Sequence, residues 1–452
     1  MKTIPCVIAA AAGIVVLTLS SFTPSQGGKA DPGVPVRSGR VQALVDDVPE
    51  GANPEFIRLI KEDLTRASAN MNSYEFPDYA YSPAPRGYKP VYISVYARHG
   101  SRSNWGDKDY KKVIGKLQAA KDEGILTASG DSLLSETRFV LEHYDGMDGR
   151  LSPRGVREHK RLAERMYARN PQIFRKGSKK VRVEVSTVQR CIISMASFTN
   201  SLTALQPDLQ YSFDTGEKFM EYINNDAGKE HRADVKRRVD SLLAATPEDT
   251  VSILGHLFTD PERGREIVGN VADFEKSIWY TACIAEDFDC PTVVFRHLPF
   301  SVIYKHFDYV NRIMYYRQCN SLEYGDERMR YAEPLVRNVF DYADQALADG
   351  SVCADLKFGH DYPLLSLASF IGIENIGQRL SFDEISKKWF GSQLICMASN
   401  LQMVFYRNRA GHVLVKFLYN EKESKLIGMT PVQGVYYDWE EVRKAVRSRL
   451  SE

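Results

Sequence analysis

The stretch Val91-Tyr92-Ile93-Ser94-Val95-Tyr96-Ala97-Arg98-His99-Gly100-Ser101-Arg102 decides how this chain is interpreted. It begins with β-branched and aromatic residues, interrupted by one serine, which predicts a buried strand. The strand brings two guanidiniums, an imidazole and a glycine to its C-terminal end. In open α/β sheets, ligands bind beyond the carboxyl ends of strands, and a following helix offers free backbone N–H groups to an anion. Because the planar fork of arginine matches phosphate oxygens, the stretch predicts a phosphate site.

Two more segments predict how the core continues. The residues Val181-Arg182-Val183-Glu184-Val185 alternate strictly between apolar and charged, as in a strand, and residues 191–205 have a helical pattern. Ser186, Thr187 and Arg190 lie between the two segments. Arginines from two strand-to-helix units therefore arrive at one edge of the sheet. The pattern predicts an α/β fold with a doubly wound, mainly parallel sheet core flanked by helices.

The middle of the chain has a different character. Residues 214–346 are dominated by charged helical stretches with few strand signals, which predicts an inserted, mostly helical cap domain. Residues 403–406 and 412–418 then predict a closing hairpin around Asn408-Arg409-Ala410-Gly411. The predicted organisation is a signal peptide (1–30), an N-terminal wrapping segment (31–85), the first part of the α/β core (86–213), the helical cap insertion (214–346) and the second part of the core (347–452).

Composition and the N-terminus restrict partners and location. With 59 Lys and Arg against 58 Asp and Glu, the net charge is +1, which argues against a surface that binds nucleic acid. Residues 6–19 form an apolar run of signal-peptide length behind Lys2. A transmembrane anchor needs about 20 apolar residues, so this run is too short for a stable membrane span. The chain is therefore expected to be exported, to the periplasm or as a secreted protein.

Six cysteines follow the predicted signal peptide, and an even number in an exported chain permits up to three disulfides. Cys283 and Cys290 are the preferred local pair. The alternative is that several cysteines are free and buried, because cysteine often packs as a small hydrophobe. For Cys191, which lies inside an apolar run, this alternative is the preferred interpretation.

A second histidine motif, Phe358-Gly359-His360-Asp361, precedes another apolar segment. Together with Ser186-Thr187-Val188-Gln189-Arg190 and the first motif, it resembles the histidine acid phosphatases, branch 2 of the histidine phosphatase superfamily, which includes phytases and multiple inositol polyphosphate phosphatases. The order and spacing of motifs match from about residue 92 to about residue 420. The match includes Gly149-Arg150-Leu151-Ser152-Pro153-Arg154-Gly155 and Met397-Ala398-Ser399-Asn400.

The resemblance implies a phosphomonoesterase that forms a phosphohistidine intermediate and needs no metal or other cofactor. On the matching positions, it implies His99 as the nucleophile and Asp361 as the general acid. The implied substrate-binding residues are Arg98, Arg102, Arg190 and His360. Three arginines can surround the phosphoryl oxygens, and an imidazole can attack phosphorus when an acceptor holds its other nitrogen.

The general acid sets a condition on pH. A free aspartate has a pKa of about 3.9, so Asp361 requires either a raised pKa or an enzyme that works in acid. Activity is therefore expected to peak below neutrality. An alternative role for Asp361 is to cap the helix that follows, which is compatible with catalysis.

The other candidates also have alternatives. His99 can be a structural histidine at a strand end, and Arg190 can pair with an acidic neighbour. The basic run 229–238 is interpreted as a solvated helix face, with contact to a polyanionic substrate as the alternative. The remaining histidines lack metal-ligand spacing, and no glycine-rich nucleotide motif is present.

The expected substrate is a small phosphorylated molecule, with polyanionic inositol polyphosphates such as phytate preferred. The alternatives are a broad-specificity acid phosphatase acting on sugar phosphates and other small monoesters, or a non-catalytic phosphate-binding protein. Two departures from the family pattern bear on the choice. Ser103-Asn104-Trp105 follows Arg102 where the family has a nearby proline, and the second motif is His-Asp, as in phytases, rather than His-Ala-Glu. A pocket ringed by Lys and Arg favours phytate, whereas an aromatic pocket does not.

Overall fold

The computed structural model describes residues 41–144, 146–226, 229–243 and 253–451. The predicted signal peptide and the first part of the predicted wrapping segment lie outside the described residues. The described strands are β1 Lys89–Arg98, β2 Lys180–Val185, β3 Gln210–Asp214, β4 Ala354–Gly359, β5 Asn400–Arg407, β6 Val413–Tyr419, β7 Lys422–Ser424 and β8 Tyr436–Asp438. They form one sheet in the order β3-β2-β4-β1-β5-β6-β7, and β8 also pairs with β6.

The α/β class, with a central sheet flanked by helices, is confirmed. The sheet is mixed, however, so the expectation of a mainly parallel sheet is correct only for one half. The neighbours β3, β2, β4 and β1 are parallel, whereas β5, β6, β7 and β8 join by antiparallel pairing. The cause is the short connection 408–412 between β5 and β6, since parallel strands need a crossover of about a dozen residues or more. Gly411 in this turn has a positive φ of 88°, and the predicted hairpin is confirmed.

Helices surround the sheet on both sides. In chain order they are α1 Pro54–Glu62, α2 Lys108–Asp122, α3 Ala128–Tyr144, α4 Pro153–Arg169, α5 Pro171–Lys176, α6 Gln189–Leu205, α7 Met220–Ile223, α8 Lys229–Leu243, α9 Leu254–Leu257, α10 Pro261–Val268, α11 Val271–Ala285, α12 Phe300–Gln318, α13 Gly325–Asp349, α14 Asp361–Ile371, α15 Phe382–Lys388, α16 Gly391–Leu394 and α17 Trp439–Arg447. Short 3₁₀ segments lie at Leu64–Met71, Glu217–Phe219, Glu286–Phe288 and Val294–His297. None of the helices in the described ranges is long and apolar enough to cross a membrane.

Local signals account for where two of these helices begin and end. The Oγ of Ser152 accepts a hydrogen bond from the N–H of Gly155, and Pro153 occupies the first turn of α4, so these two residues start the helix. Helix α1 ends at Glu62. Asp63 is extended, and its carboxylate accepts the N–H of Thr65, so the backbone leaves the helix and continues as the 3₁₀ segment Leu64–Met71.

Strand β1 is the centre of the core because it buries both faces. Tyr92 and Tyr96 pack with residues of α13 and α14, while Ile93, Val95 and Ala97 pack on the opposite face with residues of α4 and α6. A third cluster joins α1, α2 and α3 to α11 and α12. The boundaries of the predicted cap domain stay a prediction.

Within the described part of the chain, Cys191, Cys283, Cys319, Cys353 and Cys396 are free, buried thiols. Cys283 is free and fully buried, so the preferred pairing with Cys290 is wrong. Cys290 is itself buried, with its Sγ 3.5 Å from the hydroxyl of Thr292. Cys191 is free and buried, as preferred. The physical reason is that these side chains fill apolar core positions.

The basic run is a solvated helix face. It forms part of α8, where Lys236 pairs with Asp240 and Arg237 with Asp234, all on the same helix. These pairs are exposed, so their charges are largely screened.

Candidate active site

The C-terminal ends of β1, β2 and β4 meet at one edge of the sheet. At their last register positions, Arg98 pairs with Gly359, and Val185 pairs with Phe358. The segments that leave these ends carry all the predicted site residues, namely Arg98, His99, Arg102, Arg190, His360 and Asp361. The rings of the two histidines are 5.7 Å apart between centroids and nearly perpendicular, at 75°. Parallel pairing therefore brings together motifs that are far apart in the chain.

Side chains of α4 hold the loop that follows β1. His159 donates its Nε2–H to the carbonyl oxygen of Arg98 at 3.1 Å. The carboxylate of Glu158 accepts the backbone N–H of Ser101 at 2.7 Å and its hydroxyl at 2.8 Å. Both α4 side chains are buried. The loop that carries His99 is therefore fixed by helix side chains and not by its own turn alone.

Gly100 allows this close approach of α4. A Cβ on Gly100 would lie 2.7 Å from Cα of Gly155, and a Cβ on Gly155 would lie 2.3 Å from the carbonyl oxygen of Ser101. The N–H of Gly100 donates to Oγ of Ser194 on α6 at 3.1 Å. Glycine is thus required at both positions because the two backbones touch.

The His99 ring is buried, and one hydrogen bond fixes its tautomer. Nδ1 lies 2.9 Å from the carbonyl oxygen of Gly100. Since a carbonyl only accepts, Nδ1 carries the proton and Nε2 keeps its lone pair. Burial lowers the pKa of His99 well below its usual range, and the positive charges of the neighbouring arginines lower it further. The ring therefore stays neutral in mildly acidic solution.

Arg98 and Asp361 form an ion pair that the N-terminal segment supports. Nη2 of Arg98 lies 3.0 Å from Oδ2 of Asp361. Nη1 of Arg98 donates to the carbonyl oxygens of Asn70, at 2.6 Å, and Ile395, at 2.7 Å. The side-chain amide of Asn70 donates to the same Oδ2 at 3.1 Å. A cation and an amide thus converge on one oxygen of the candidate acid.

Arg102 and Arg190 both stack against the indole of Trp105. Their Cζ atoms lie 5.3 Å and 4.4 Å from the ring centroid, and 63% of Trp105 is exposed. Nη1 of Arg102 donates to the carbonyl of Ser103, and Nη1 of Arg190 to the carbonyl of Gly149. These hydrogen bonds go to backbone oxygens and not to a carboxylate. Among the described residues, Arg190 therefore has no acidic partner within ion-pair distance, and the alternative of an ion pair is not realised there.

The site has an excess of buried positive charge. Burial and the charges of the neighbouring arginines lower the pKa of Arg102 to about 10, and burial also lowers the pKa of Arg190. Both side chains remain charged at neutral pH. Arg98, Arg102 and Arg190 each keep a buried Nε–H without a hydrogen-bond partner among the described residues. Excess charge and spare donors suit an anion such as phosphate.

His360 is more enclosed than its expected role suggests. Nδ1 accepts from Nη2 of Arg190 at 3.3 Å, so Nε2 carries the proton and donates to Oγ of Ser186 at 3.1 Å. The ring stacks on Tyr362, with centroids 5.1 Å apart. Burial lowers the pKa of His360 to about 3, and the charge of Arg190 acts in the same direction. Because both nitrogens have protein partners, a direct bond from His360 to phosphate requires an exchange of partners and stays a prediction.

Asp361 is ionised in this setting. Burial alone raises the pKa of Asp361, but the charge of Arg98 and the hydrogen bond from Asn70 outweigh it, so the pKa lies below its usual range. Oδ1 accepts the N–H of Tyr362 at 2.9 Å, although the N-cap position of α14 is His360. The capping alternative is thus realised in part, beside the ion pair. Of the two options for the general acid, operation in acid agrees with this environment.

Sequence patterns do not predict several residues that surround the site. They are Asn70, Glu158, Ser194, Asp287 and Tyr362. Asn70 lies in the segment expected only to wrap the core, and no local pattern distinguishes it. Glu158 lies on the helix that begins after Ser152. Helical periodicity indicates that its side chain points inward. Tyr362 lies two residues after His360. An aromatic residue so near a histidine in the sequence is the one local sign that the two rings stack.

A buried carboxyl group lies beneath the loop of His99. Asp287 is fully buried, and its Oδ1 accepts a hydrogen bond from the hydroxyl of Ser73 at 3.0 Å. Oδ2 has no partner among the described residues. Burial, with the negative charge of Glu158, raises the pKa of Asp287 to about 8. This carboxyl group is therefore mainly protonated at neutral pH.

We expect Asp287→Asn to reduce the pH dependence of stability. Between about pH 4 and about pH 8 the folded protein keeps a proton on Asp287 that the unfolded chain has released. The free energy of unfolding of the wild type therefore falls as pH rises through this window, by up to about 1.4 kcal/mol per pH unit from this group. Because asparagine does not ionise, the Asp287→Asn variant should not show this fall in the free energy of unfolding. Melting temperatures of wild type and Asp287→Asn near pH 5 and near pH 8 measure the effect. If the melting temperature drops equally in both proteins between these pH values, the prediction is contradicted.

We expect Trp105→Ala to weaken phosphate binding. Each exposed cation–π contact is worth about 0.5–1 kcal/mol, so loss of the ring that orders Arg102 and Arg190 should raise the dissociation constant about 5- to 30-fold. Titration calorimetry with inorganic phosphate measures it. Trp105→Phe keeps an aromatic face and is the matched control, which should retain most of the affinity. Equal affinity in wild type and Trp105→Ala would show that the ring does not order the two arginines.

Comparisons with known proteins agree with this geometry. The fold is similar to that of the multiple inositol polyphosphate phosphatase of Bifidobacterium longum in complex with inositol hexasulfate, with a TM-score of 0.64 and 18% identity over 84% of this chain and 97% of that chain. It is also similar to the phytase from D. castellii, with a TM-score of 0.64 and 12% identity over 90% of this chain and 91% of that chain. At these identities the similarity shows the fold. The model of the histidine phosphatase superfamily (branch 2) matches residues 92–420, and the protein therefore belongs to that superfamily.

Proposed function

We propose that this phosphatase is a metal-independent phosphomonoesterase that works through a phosphohistidine on His99. One observation carries the proposal. Nδ1 of His99 is held by the carbonyl of Gly100, which leaves the lone pair of Nε2 free, and the ring lies among three buried arginines. A neutral imidazole surrounded by guanidiniums is suited to attack a phosphate group whose charge those guanidiniums offset.

The reaction takes two steps. In the first, Nε2 of His99 bonds to phosphorus, the bond from phosphorus to the ester oxygen breaks, and Asp361 gives its proton to the leaving alkoxide. In the second, water bonds to phosphorus, the bond from phosphorus to nitrogen breaks, and the carboxylate of Asp361 takes a proton from the water. Inorganic phosphate leaves, and His99 regains its lone pair.

The first step requires a protonated Asp361. A phosphate dianion beside the arginines offsets their positive charge, so the pKa of Asp361 rises when substrate binds. The rate then increases as pH falls through the pKa of Asp361 in the complex. We therefore propose an acidic pH optimum.

Inositol polyphosphates such as phytate are the proposed substrates. The support is family membership, the excess positive charge of the site, and a fold similar to that of two enzymes named for such substrates. The exposed indole of Trp105 favours the second candidate, a broad-specificity acid phosphatase that accepts sugar phosphates and other small monoesters.

We also propose that the protein is exported to the periplasm or secreted. The support is the apolar run at residues 6–19 behind Lys2. Mass spectrometry of the N-terminus in the periplasmic and culture fractions tests this proposal, because a cleaved signal peptide shortens the chain. An intact N-terminus found only inside the cell would contradict it.

Phosphate release from phytate and from p-nitrophenyl phosphate, across about pH 3 to 8 with EDTA present, tests the function. Chelator-resistant activity with an acidic optimum is the expected result. A higher kcat/KM for phytate supports the inositol polyphosphatase, and a higher value for the small monoester supports the broad acid phosphatase. If the protein binds phosphate tightly but releases phosphate from neither compound, it is a phosphate-binding protein and not an enzyme.

A further inference from the structure

We infer that Asn70 is a positioning residue, whose side-chain amide holds Asp361 in the orientation from which it protonates the leaving group. The inference rests on the proposed role of Asp361 as general acid. Asn70 lies before residue 92, where the family match begins, so the match assigns it no role.

The contacts of Asn70 connect both members of the ion pair. Its backbone carbonyl accepts from Nη1 of Arg98 at 2.6 Å, and its Nδ2 donates to Oδ2 of Asp361 at 3.1 Å. Nη2 of Arg98 reaches the same Oδ2 at 3.0 Å. Asn70 therefore closes a ring of contacts with a cation and a carboxylate. Among the described residues, removal of its side chain deletes the one side-chain hydrogen bond, to Asp361, since the contact to Arg98 uses the backbone.

The backbone before Asn70 is held in an unusual conformation. Ala69 has φ 51° and ψ −124°, a region sparsely populated by residues with a Cβ, and it is buried. It interrupts the 3₁₀ segment Leu64–Met71 immediately before Asn70. Strain of this kind persists only where the surrounding structure enforces it, and it concentrates at active sites. Here it turns Asn70 towards Arg98 and Asp361.

The amide of Asn70 is one of three restraints on the carboxyl group of Asp361. Oδ1 of Asp361 is bound to the N–H of Tyr362, while Oδ2 is bound by Asn70 and Arg98. Without Asn70, one of these three restraints on the carboxyl group is lost. The charged and titratable groups that act on Asp361 are Tyr96 and Arg98 of β1, Arg102 of the following loop, Arg190 and Cys191 of α6, the adjacent His360 and Tyr362, and Tyr419 of β6. They stay in place when the Asn70 side chain is removed.

The test compares Asn70→Ala with wild type on two leaving groups under single-turnover conditions, with enzyme in excess. The alkoxide of phytate needs a proton, whereas nitrophenolate leaves without one. We expect the rate constant for phytate to fall about 10-fold on the acidic plateau, and that for p-nitrophenyl phosphate to change by less than about 2-fold. Loss of a hydrogen bond to the carboxylate raises the pKa of Asp361. The decline of the phytate rate towards neutral pH should therefore move up by about 0.5 to 1 pH unit.

Asn72→Ala is the matched control. Asn72 lies in the same segment, and its buried side chain donates to the carbonyl of Ser392 at 3.1 Å, without a contact to Arg98 or Asp361. In this variant the rate constants for both substrates should change by the same factor, and the pH profile should stay where it is in wild type. Asn70→Asp keeps the shape of the side chain but places a second carboxylate against Asp361, so it should move the profile further upward. It serves as the test if Asn70→Ala does not fold.

Two failures are distinguishable. If wild type releases phosphate from neither compound, the proposed function is wrong. If wild type cleaves both and Asn70→Ala slows both by one factor without a shift of the pH profile, Asn70 is structural only, and the inference is overturned.

Discussion

His99→Ala is expected to lower kcat for every phosphomonoester by about 10⁵-fold or more. The variant has no group to form the bond to phosphorus, and the arginines alone supply only charge stabilisation. Steady-state assays at acidic pH measure the loss. Quenching in alkali after mixing with a ³²P-labelled substrate should leave label on the wild-type protein, and none on the variant.

Binding and a control variant separate chemistry from folding. Since Arg98, Arg102 and Arg190 are intact, His99→Ala should still bind inorganic phosphate. His412→Ala removes an exposed histidine that contacts Tyr88 and Asp438, and it should keep its activity within about 2-fold. Near wild-type turnover in His99→Ala would show that another residue is the nucleophile.

Asp361→Asn is expected to have the second largest effect, and the effect should depend on the leaving group. Asparagine keeps the size of the side chain but has no proton to give, so the single-turnover rate for phytate should fall about 10²- to 10⁴-fold. The rate for p-nitrophenyl phosphate should fall less than about 10-fold, because nitrophenolate leaves without a proton.

The pH profile gives an independent readout for this variant. In wild type, the phytate rate should rise as pH falls through the pKa of Asp361, because only the protonated carboxyl group is active. In Asp361→Asn this rise should be absent. Equal losses for both substrates, with the wild-type pH profile retained, would assign the proton to a different group.

Part of the fold follows from local patterns. The run before Arg98 predicts β1, the alternation at 181–185 predicts β2, and Ser152 with Pro153 predicts the start of α4, because each signal concerns neighbours in the chain. The direction of pairing between distant strands is less local. The sheet is mixed because short connections join the C-terminal strands, whereas the crossovers before β4 produce the parallel half.

The candidate site divides in the same way. His99 and Asp361 can be predicted from their motifs, since the chemistry of each side chain belongs to the residue itself. The residues that set the protonation of His99 and Asp361 cannot be predicted from the sequence. Asn70 meets Asp361 across 291 positions of sequence, and nothing near Asn70 distinguishes it from Asn72. The low pKa of His99 also depends on burial and on Arg190, which another element supplies.

By itself, the sequence determined the strand that carries Arg98 and His99, the second motif at His360 and Asp361, and the class of chemistry these groups support. Only the tertiary structure decided that Asp361 is held by Asn70 and Arg98, that Trp105 stacks on two arginines, and that Cys283 stays a thiol. The reason is physical. Strand periodicity and side-chain chemistry are local properties, whereas burial, distance and charge environment arise from how distant segments pack.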